Sequence, residues 1–510
     1  MISRRRVLRH AAIGAAFIGS PTIMASRASA ANEKAISIAF PTDLASWDAM
    51  NAVTSVTQSL YKCVFDSLLD ITPTAQLQPG LGSFKWLDNN NQVLELTLRD
   101  NLLFHNGDPL TSDDVHFSFY TRLKADDTLA VAANFGKIVE AVETPAPNKV
   151  VFKFASKYIT APQRLMAVGY VMPRRYTESV GIDGFMQKPV GAGPYKLVDY
   201  QRGSRIVLEA HDKYYRGAPS IKQVVIQIVQ DPSTRIAAVQ SGQVDFAHNL
   251  PVREVVRLGA IPGLVGNLHP ISSVYMIHMV NKGIYQDPNV RLAMHHAINT
   301  AGLSKAFFNG KADVLSMWAG PGTPANDPNF KFAYSPEMAK ALLAKSGYTA
   351  KNPAKIELLS PNGVFQNDFD MARTIVQMWK EIGIDASATA IELPKFNELL
   401  RTDKLESPML YNWFNPTDDP ESYSGSIMNP KGRFSAWKSD DITPKLQALL
   451  DETNYDKRMA GYREFDRWTV EQGYACPLLQ GIATVVYSKR IRYVPYRTGL
   501  VAPYAWTLTA

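Results

Sequence analysis

The chain has 510 residues, more than one hydrophobic core usually supports, and its 46% hydrophobic and 20% charged content is that of an ordinary globular chain, so two or three domains are expected. A formal charge of +7 invites an anionic partner, but Arg4, Arg5, Arg6, Arg9 and Arg27 all lie in an acid-free stretch of thirty residues, and the 49 other basic residues face 47 acids, a balance of +2. Nucleic-acid binding thereby loses its electrostatic basis.

The first elements are not those of a fold. Ser3-Arg4-Arg5-Arg6-Val7-Leu8-Arg9, the apolar run 11–18 and Ala28-Ser29-Ala30 together read as an export signal of the twin-arginine kind, with cleavage after Ala30. That run is too short to span a bilayer, and nothing later approaches the ~18 uninterrupted apolar residues a span needs. A soluble mature chain in the periplasm is expected, without a lipid anchor at the cleavage site, since neither cysteine lies near it. Cys63 and Cys476 are far apart, fit neither a disulfide framework nor a four-ligand zinc site, and read as two buried thiols, with a bridge left open.

Residues 35–40 form the first strand, and 58–69 have helical spacing through Leu60, Val64 and Leu68. Residues 93–98 alternate as a half-buried strand. Thr111 caps a helix whose face is Val115, Phe119 and Leu123, with Asp113 and Asp114 at its positive end. Another strand at 149–154 and a helix at 161–171 follow. Residues 195–200 and 206–210 make a hairpin around Gly203, and 222–229 read as a strand covered on both faces. Asp231 and Pro232 start a helix that Gly242 stops before the strand Val244-Asp245-Phe246. A strand over 272–280 precedes a helix from Asp287 and Pro288 to about Phe308, ended by Gly310. Ser335 and Pro336 open one more helix, through Leu342 and Leu343 to Gly347. Residues 355–360, 369–382 and 384–393 make a strand, helix, strand unit with parallel strands.

Four segments, LTLRDNLLFHNGDPLTSDDVHFSF, GAGPYKLVDYQRG, IVLEAHDKYYRGAPSI and STRIAAVQSGQVDF, resemble in order and spacing the extracytoplasmic solute-binding proteins of ABC importers, family 5, which includes dipeptide- and oligopeptide-binding proteins. The resemblance covers residues 35–490. It implies an α/β, two-lobed periplasmic-binding-protein fold of type II with an extra subdomain in the first lobe. It also implies a division into 1–30 (signal), 31–58, 188–268 and 477–510 (first lobe), 59–187 (its subdomain) and 269–476 (second lobe), with two strands crossing between lobes as a hinge. Function follows by the same implication: a monomeric receptor that catalyses no reaction, traps a small-molecule or peptide ligand between its lobes and delivers it to a membrane ABC permease, without cofactor, metal or nucleic acid.

The residues themselves offer little competing chemistry. Nine histidines make no metal site: His295 and His296 are adjacent on a helix and point about 100° apart, and His105 and His116 flank a turn. No HExxH, GxSxG or phosphate-binding GxxxxGK[ST] occurs, and Gly191-Ala192-Gly193 lacks a third glycine and reads as a turn. Residues 410–429, LYNWFNPTDDPESYSGSIMN, expose rings beside polar groups in a breaker-rich loop, as a ligand cleft requires, although Trp413 as core and Asp419 as helix cap is the bland alternative. The resemblance implies a cleft built from Asn51, Thr54, Tyr275, Asn362, Trp413, Phe414, Asn415, Thr417, Asp418 and Asp419. Where peptide binders carry an aspartate three residues after the tryptophan, this chain has Pro416; where they carry charge-binding arginines, it has Leu410 and Asn362. Losing such anchors disfavours free-ended peptides, unless Asp418 substitutes. A short peptide or peptide-like ligand therefore stands beside an opine, a sugar conjugate or another amphiphile. A secreted hydrolase, the alternative of another class, has no constellation in its support.

Overall fold

The computed structural model describes residues 33–51, 55–129, 131–432 and 434–509. The expected export signal, its cleavage site and Thr54 lie outside the described residues. Ten strands form one sheet through both lobes: β1 (Ala35–Phe40), β2 (Tyr195–Gln201), β3 (Arg205–Ala210), β4 (Gln223–Ile228), β5 (Phe246–His248), β6 (Leu264–His278), β7 (Lys355–Ser360), β8 (Asp385–Ala390), β9 (Met409–Phe414) and β10 (Cys476–Ser488). Their order across the sheet is β8-β7-β9-β6-β10-β5-β1-β4-β3-β2.

Local chemistry accounts for much of this. Gly203 takes φ 71° in the β2–β3 turn, a conformation cheap only for glycine. Asp231, Asp287 and Ser335 each accept a backbone N–H at the start of a helix that opens with proline. The Asp114 carboxylate accepts from both the backbone N–H and the hydroxyl of Thr111. β7 and β8 are parallel, joined by the helix Asp368–Glu381, which buries Met371, Ile375 and Trp379 on one face. Gly191 and Gly193 serve a close approach, because a Cβ there would meet the backbone of Val64 at 2.1 and 2.6 Å.

Several expectations are corrected. The first helix is Ser55–Val64, and the chain then turns into the short strand Leu69–Ile71. The helix expected from Asp287 to Phe308 is two, Pro288–His296 and Thr300–Phe308, because Asn299 caps a new start by accepting from Gly302. β4 is buried on one face at Val224 and Ile226 but only half-covered on the other. The largest correction is β6, fifteen residues long where 272–280 was expected. Gly266 and Pro270 break its β pattern; Gly266 is needed because a Cβ would sit 2.2 Å from the carbonyl oxygen of Val255.

β6 and β10 pair antiparallel from Leu264 opposite Ser488 to Ile277 opposite Cys476. The first half of β6 and the second half of β10 lie in one lobe, and the second half of β6 and the first half of β10 in the other. One core joins Phe40 of β1 with Phe65, Phe104 and Tyr170 and takes in Trp506 of the tail, which packs on Phe246 at 4.7 Å. That core also receives the antiparallel sheet of Gly82–Trp86, Val93–Leu98, Lys149–Phe154 and Val139–Ala146. A second core gathers Trp318, Trp379 and Tyr462 around β7 and β9, and a third, smaller one lies around Ala247, Leu258 and Val486. Cys63 is buried in the first core and Cys476 in the second, both as free thiols.

Candidate ligand-binding site

Where β6 passes from one lobe to the other, its ladder with β10 shifts register between Pro270 and Val274. Such a bulge re-aims the side chains it contains, here those of Ser272 and Ser273. The backbone of Ser272 ties three segments together: its N–H donates to the Arg497 carbonyl (2.6 Å), and its carbonyl accepts from Asn415 (2.7 Å). Arg497 belongs to the tail of the first lobe and Asn415 to the loop after β9 in the second. At this junction Ser273, Trp318, Asp418, Tyr423, Gln480 and Arg497 help to line a cavity of about 10 Å³, room for about one water molecule.

The loop after β9 is built by its own polar side chains. Asn415 Oδ1 accepts from the backbone N–H and the hydroxyl of Thr417 (3.1 and 3.0 Å), and Asn415 Nδ2 donates to the Asp419 carbonyl (3.0 Å). The hydroxyls of Thr417 and Ser422 share a hydrogen bond of 2.8 Å. Asp419 accepts from the Glu421 N–H at the start of the short turn Pro420–Ser422 and is gripped by both Nη atoms of buried Arg458 (2.9 and 2.7 Å). Thr417 and Asp419 thus frame the loop, and Asn415 both frames it and touches the cavity.

Asp418 faces the cavity from left-handed backbone, φ 55°. Its Oδ1 accepts from the Ser272 hydroxyl (2.7 Å), and its Oδ2 pairs with Arg497 Nε (3.2 Å). Burial pushes its carboxyl up to about 6, with the nearby guanidinium of Arg497 and the Ser272 hydroxyl pulling the other way. Arg497 also donates from Nη2 to the Pro321 carbonyl (2.7 Å). Further out, Arg164 of the helix Ala161–Val168 reaches Glu421 (3.3 Å) and Lys157 reaches Asp451 (3.7 Å), so the two lobes also touch outside the cavity lining.

The expected aromatic pair splits across the strand, as alternation requires. Trp413 is half-buried, donates Nε1–H to the Ser422 carbonyl (2.7 Å) and stands edge-on to Phe434 (5.1 Å). Phe414, half-buried on the opposite face, comes near Gly499 of the tail. Tyr275 is buried against Phe308 (5.4 Å), with its hydroxyl donated to the Gln366 carbonyl (3.1 Å). Asn362 is exposed in the turn after β7, and Asn51 closes the turn Ala49–Asn51. None of these five, Trp413 and Phe414 included, lines the cavity. Ser272, Ser273, Trp318, Tyr423, Gln480 and Arg497 were not among the expected residues. They come from five separate stretches, and only the glycine and proline interruptions of β6 hinted at a bulge.

Among the described residues no group of three or more histidine, cysteine, aspartate or glutamate side chains is placed to hold a metal ion. His295 and His296 both stack on Phe332 (3.7 and 4.3 Å), and His105 meets His211 (5.0 Å) rather than His116.

Residues 76–435 match the model of the bacterial extracellular solute-binding proteins, family 5, and the chain belongs to that family. It is 23% identical over 460 residues to heme-binding protein A of Haemophilus influenzae, covering 82% of each chain. To di/tripeptide-binding protein 2 of Pseudomonas aeruginosa it is 24% identical over 453 residues, covering 81% of this chain and 83% of that one. The solved structure of HbpA2 from Haemophilus parasuis superposes with a TM-score of 0.81 at 20% identity, over 93% of this chain and all of the other. Proteins of this family bind small-molecule or peptide ligands and work with ABC permeases. No helix among the described residues is long and apolar enough to cross a membrane.

Proposed function

We propose that the protein is the periplasmic receptor of an ABC importer that captures a short peptide or peptide-like solute between its lobes and passes it to a membrane permease. The observation that carries this is the cavity at the β6–β10 crossing, where residues of both lobes meet around a bulge in two strands that run between them. Domain closure around a ligand is the work such a crossing permits. A micromolar affinity, roughly −8 kcal/mol, is enough to shift a hinge equilibrium of a few kcal/mol. The chain acts as a monomer, catalyses no reaction, binds no nucleic acid, and reaches the periplasm through its twin-arginine signal, cleaved after Ala30. The lobe division expected from the sequence, with 269–476 as the second lobe, is part of the same reading.

A second ligand class is favoured by one observation: Asp418, the acid available to hold a peptide's ammonium group, is already paired with Arg497. An opine, a sugar conjugate or another less charged amphiphile fits that arrangement.

A thermal-shift screen of dipeptides, tripeptides, opines and oligosaccharides on the mature protein tests the reading, because a ligand that binds only the folded state raises the melting temperature. We expect at least one class to do so and Trp413→Ala to weaken its binding in calorimetry without unfolding the chain. A hydrolase would instead leave products visible by mass spectrometry, and unchanged affinity in Trp413→Ala would remove that ring from the site.

A further inference from the structure

We propose that Arg497 sets the charge of the group this cavity accepts: by filling the cation's place at Asp418 it makes the site select a neutral, donor-rich group, an amide N–H or a hydroxyl, over an ammonium. The inference rests on the receptor reading above and narrows its ligand.

Each of the three carboxylates on the loop after β9 is already taken by an arginine. Asp418 pairs with Arg497 (3.2 Å), Asp419 with Arg458 (2.7 Å) and Glu421 with Arg164 (3.3 Å). The arginines come from the tail, from the helix Tyr455–Glu471 and from the helix Ala161–Val168, so the loop is neutralised from three directions and offers a ligand no free negative charge. The cavity wall leaves four groups without a hydrogen-bond partner: Arg497 Nε, whose charge faces Asp418 as an ion pair, and three uncharged ones, Ser273 Oγ, Gln480 Oε1 and the Tyr423 hydroxyl, on residues that are each 3% exposed. Gln480 already donates from Nε2 to the Ile271 carbonyl (3.2 Å), and its remaining oxygen only accepts. A buried acceptor without a donor is unfavourable, and a ligand N–H or O–H relieves it.

Arg497 is not free to give way. Its backbone N–H donates to the Pro73 carbonyl (2.8 Å), its own carbonyl accepts from Ser272 (2.6 Å), and its Nη2 donates to the Pro321 carbonyl (2.7 Å). An incoming ammonium has to compete with a guanidinium fixed at both backbone and head group, while a neutral donor leaves the ion pair intact.

The test uses Arg497→Gln, Arg497→Gly and each of these combined with Asp418→Asn, in the mature chain. The probe pair is alanyl-alaninamide, whose only charge is its ammonium, and its N-acetyl form. Arg497→Gln is expected to gain about tenfold in affinity for the free amine over the wild type, and the gain to vanish when Asp418→Asn is added. In Arg497→Gly, millimolar methylguanidinium is expected to raise the melting temperature, with no such effect of sodium at equal ionic strength, in the wild type, or in the double variant. A wild type that binds the free amine more tightly than the N-acetyl form would overturn the proposal, as would the absence of any gain in Arg497→Gln. If Arg497→Gln does not fold, the methylguanidinium response of Arg497→Gly decides alone. A wild type that no member of the broader solute set stabilises would instead count against the receptor reading, while the methylguanidinium result would still stand.

Discussion

Asp418 combines two unfavourable conditions at one position. A non-glycine residue at φ 55° strains the backbone, and its carboxylate is ionised in a place that disfavours the charge. Such costs are tolerated where a site needs them. They also give a pH signature. With the group raised from 3.8 to about 6, the folded state holds a proton that the unfolded chain lacks between about pH 4 and 6, so this residue's contribution to stability rises as pH falls through that window. Asp418→Asn should therefore be more stable than the wild type at pH 7.5, by an advantage that shrinks by about 2–3 kcal/mol on acidification to pH 4. Urea unfolding at several pH values measures it, and a difference independent of pH would contradict this account of Asp418. From the sequence, the polar loop with its rings was visible as a cleft candidate, but the separate roles within it were not. Asn415, Thr417, Asp418 and Asp419 are four similar polar residues, and only contacts with Arg458 and Arg497, 39 and 79 positions away from Asp419 and Asp418, turn one into frame and another into wall.

At the scale of elements, helices with a capping side chain and a proline at their start were legible, since Asp231, Asp287 and Ser335 make the start signal within four residues. β6 was not, because its first half needs a glycine and a proline for reasons set by neighbours: Gly266 for the backbone of Val255, and Pro270 at the edge of the bulge. The helix Ala161–Val168 illustrates the same limit. Its pattern gives a helix, while its reach across the cleft to Glu421 depends on where the subdomain docks. Arg164→Ala should speed ligand release several-fold in stopped-flow, in line with a partly buried ion pair contributing about 1 kcal/mol. In a Glu421→Gln background the same substitution should have little further effect. Additive effects of the two changes would show that the pair does not act as a clasp.

At the scale of the molecule, the lobes are joined by β6 and β10 and touch again at Arg497–Asp418, Arg164–Glu421 and Lys157–Asp451. Ligand saturation should lower the radius of gyration in small-angle scattering, because a solute held by both lobes favours the closed population. A scattering curve unchanged at saturation, with binding confirmed by calorimetry, would refute hinge closure. The sequence by itself determined the family, the α/β class and most elements with strong local signals, because periodicity, caps and turns act over a few residues and the matching segments are long. Which atoms meet in the cleft was decided only by tertiary structure: a bulge at Ser272 and Ser273, a tail returning with Arg497 and a loop carrying Asp418 come together only when the two shared strands are paired, and no pattern local to any one of them encodes that meeting.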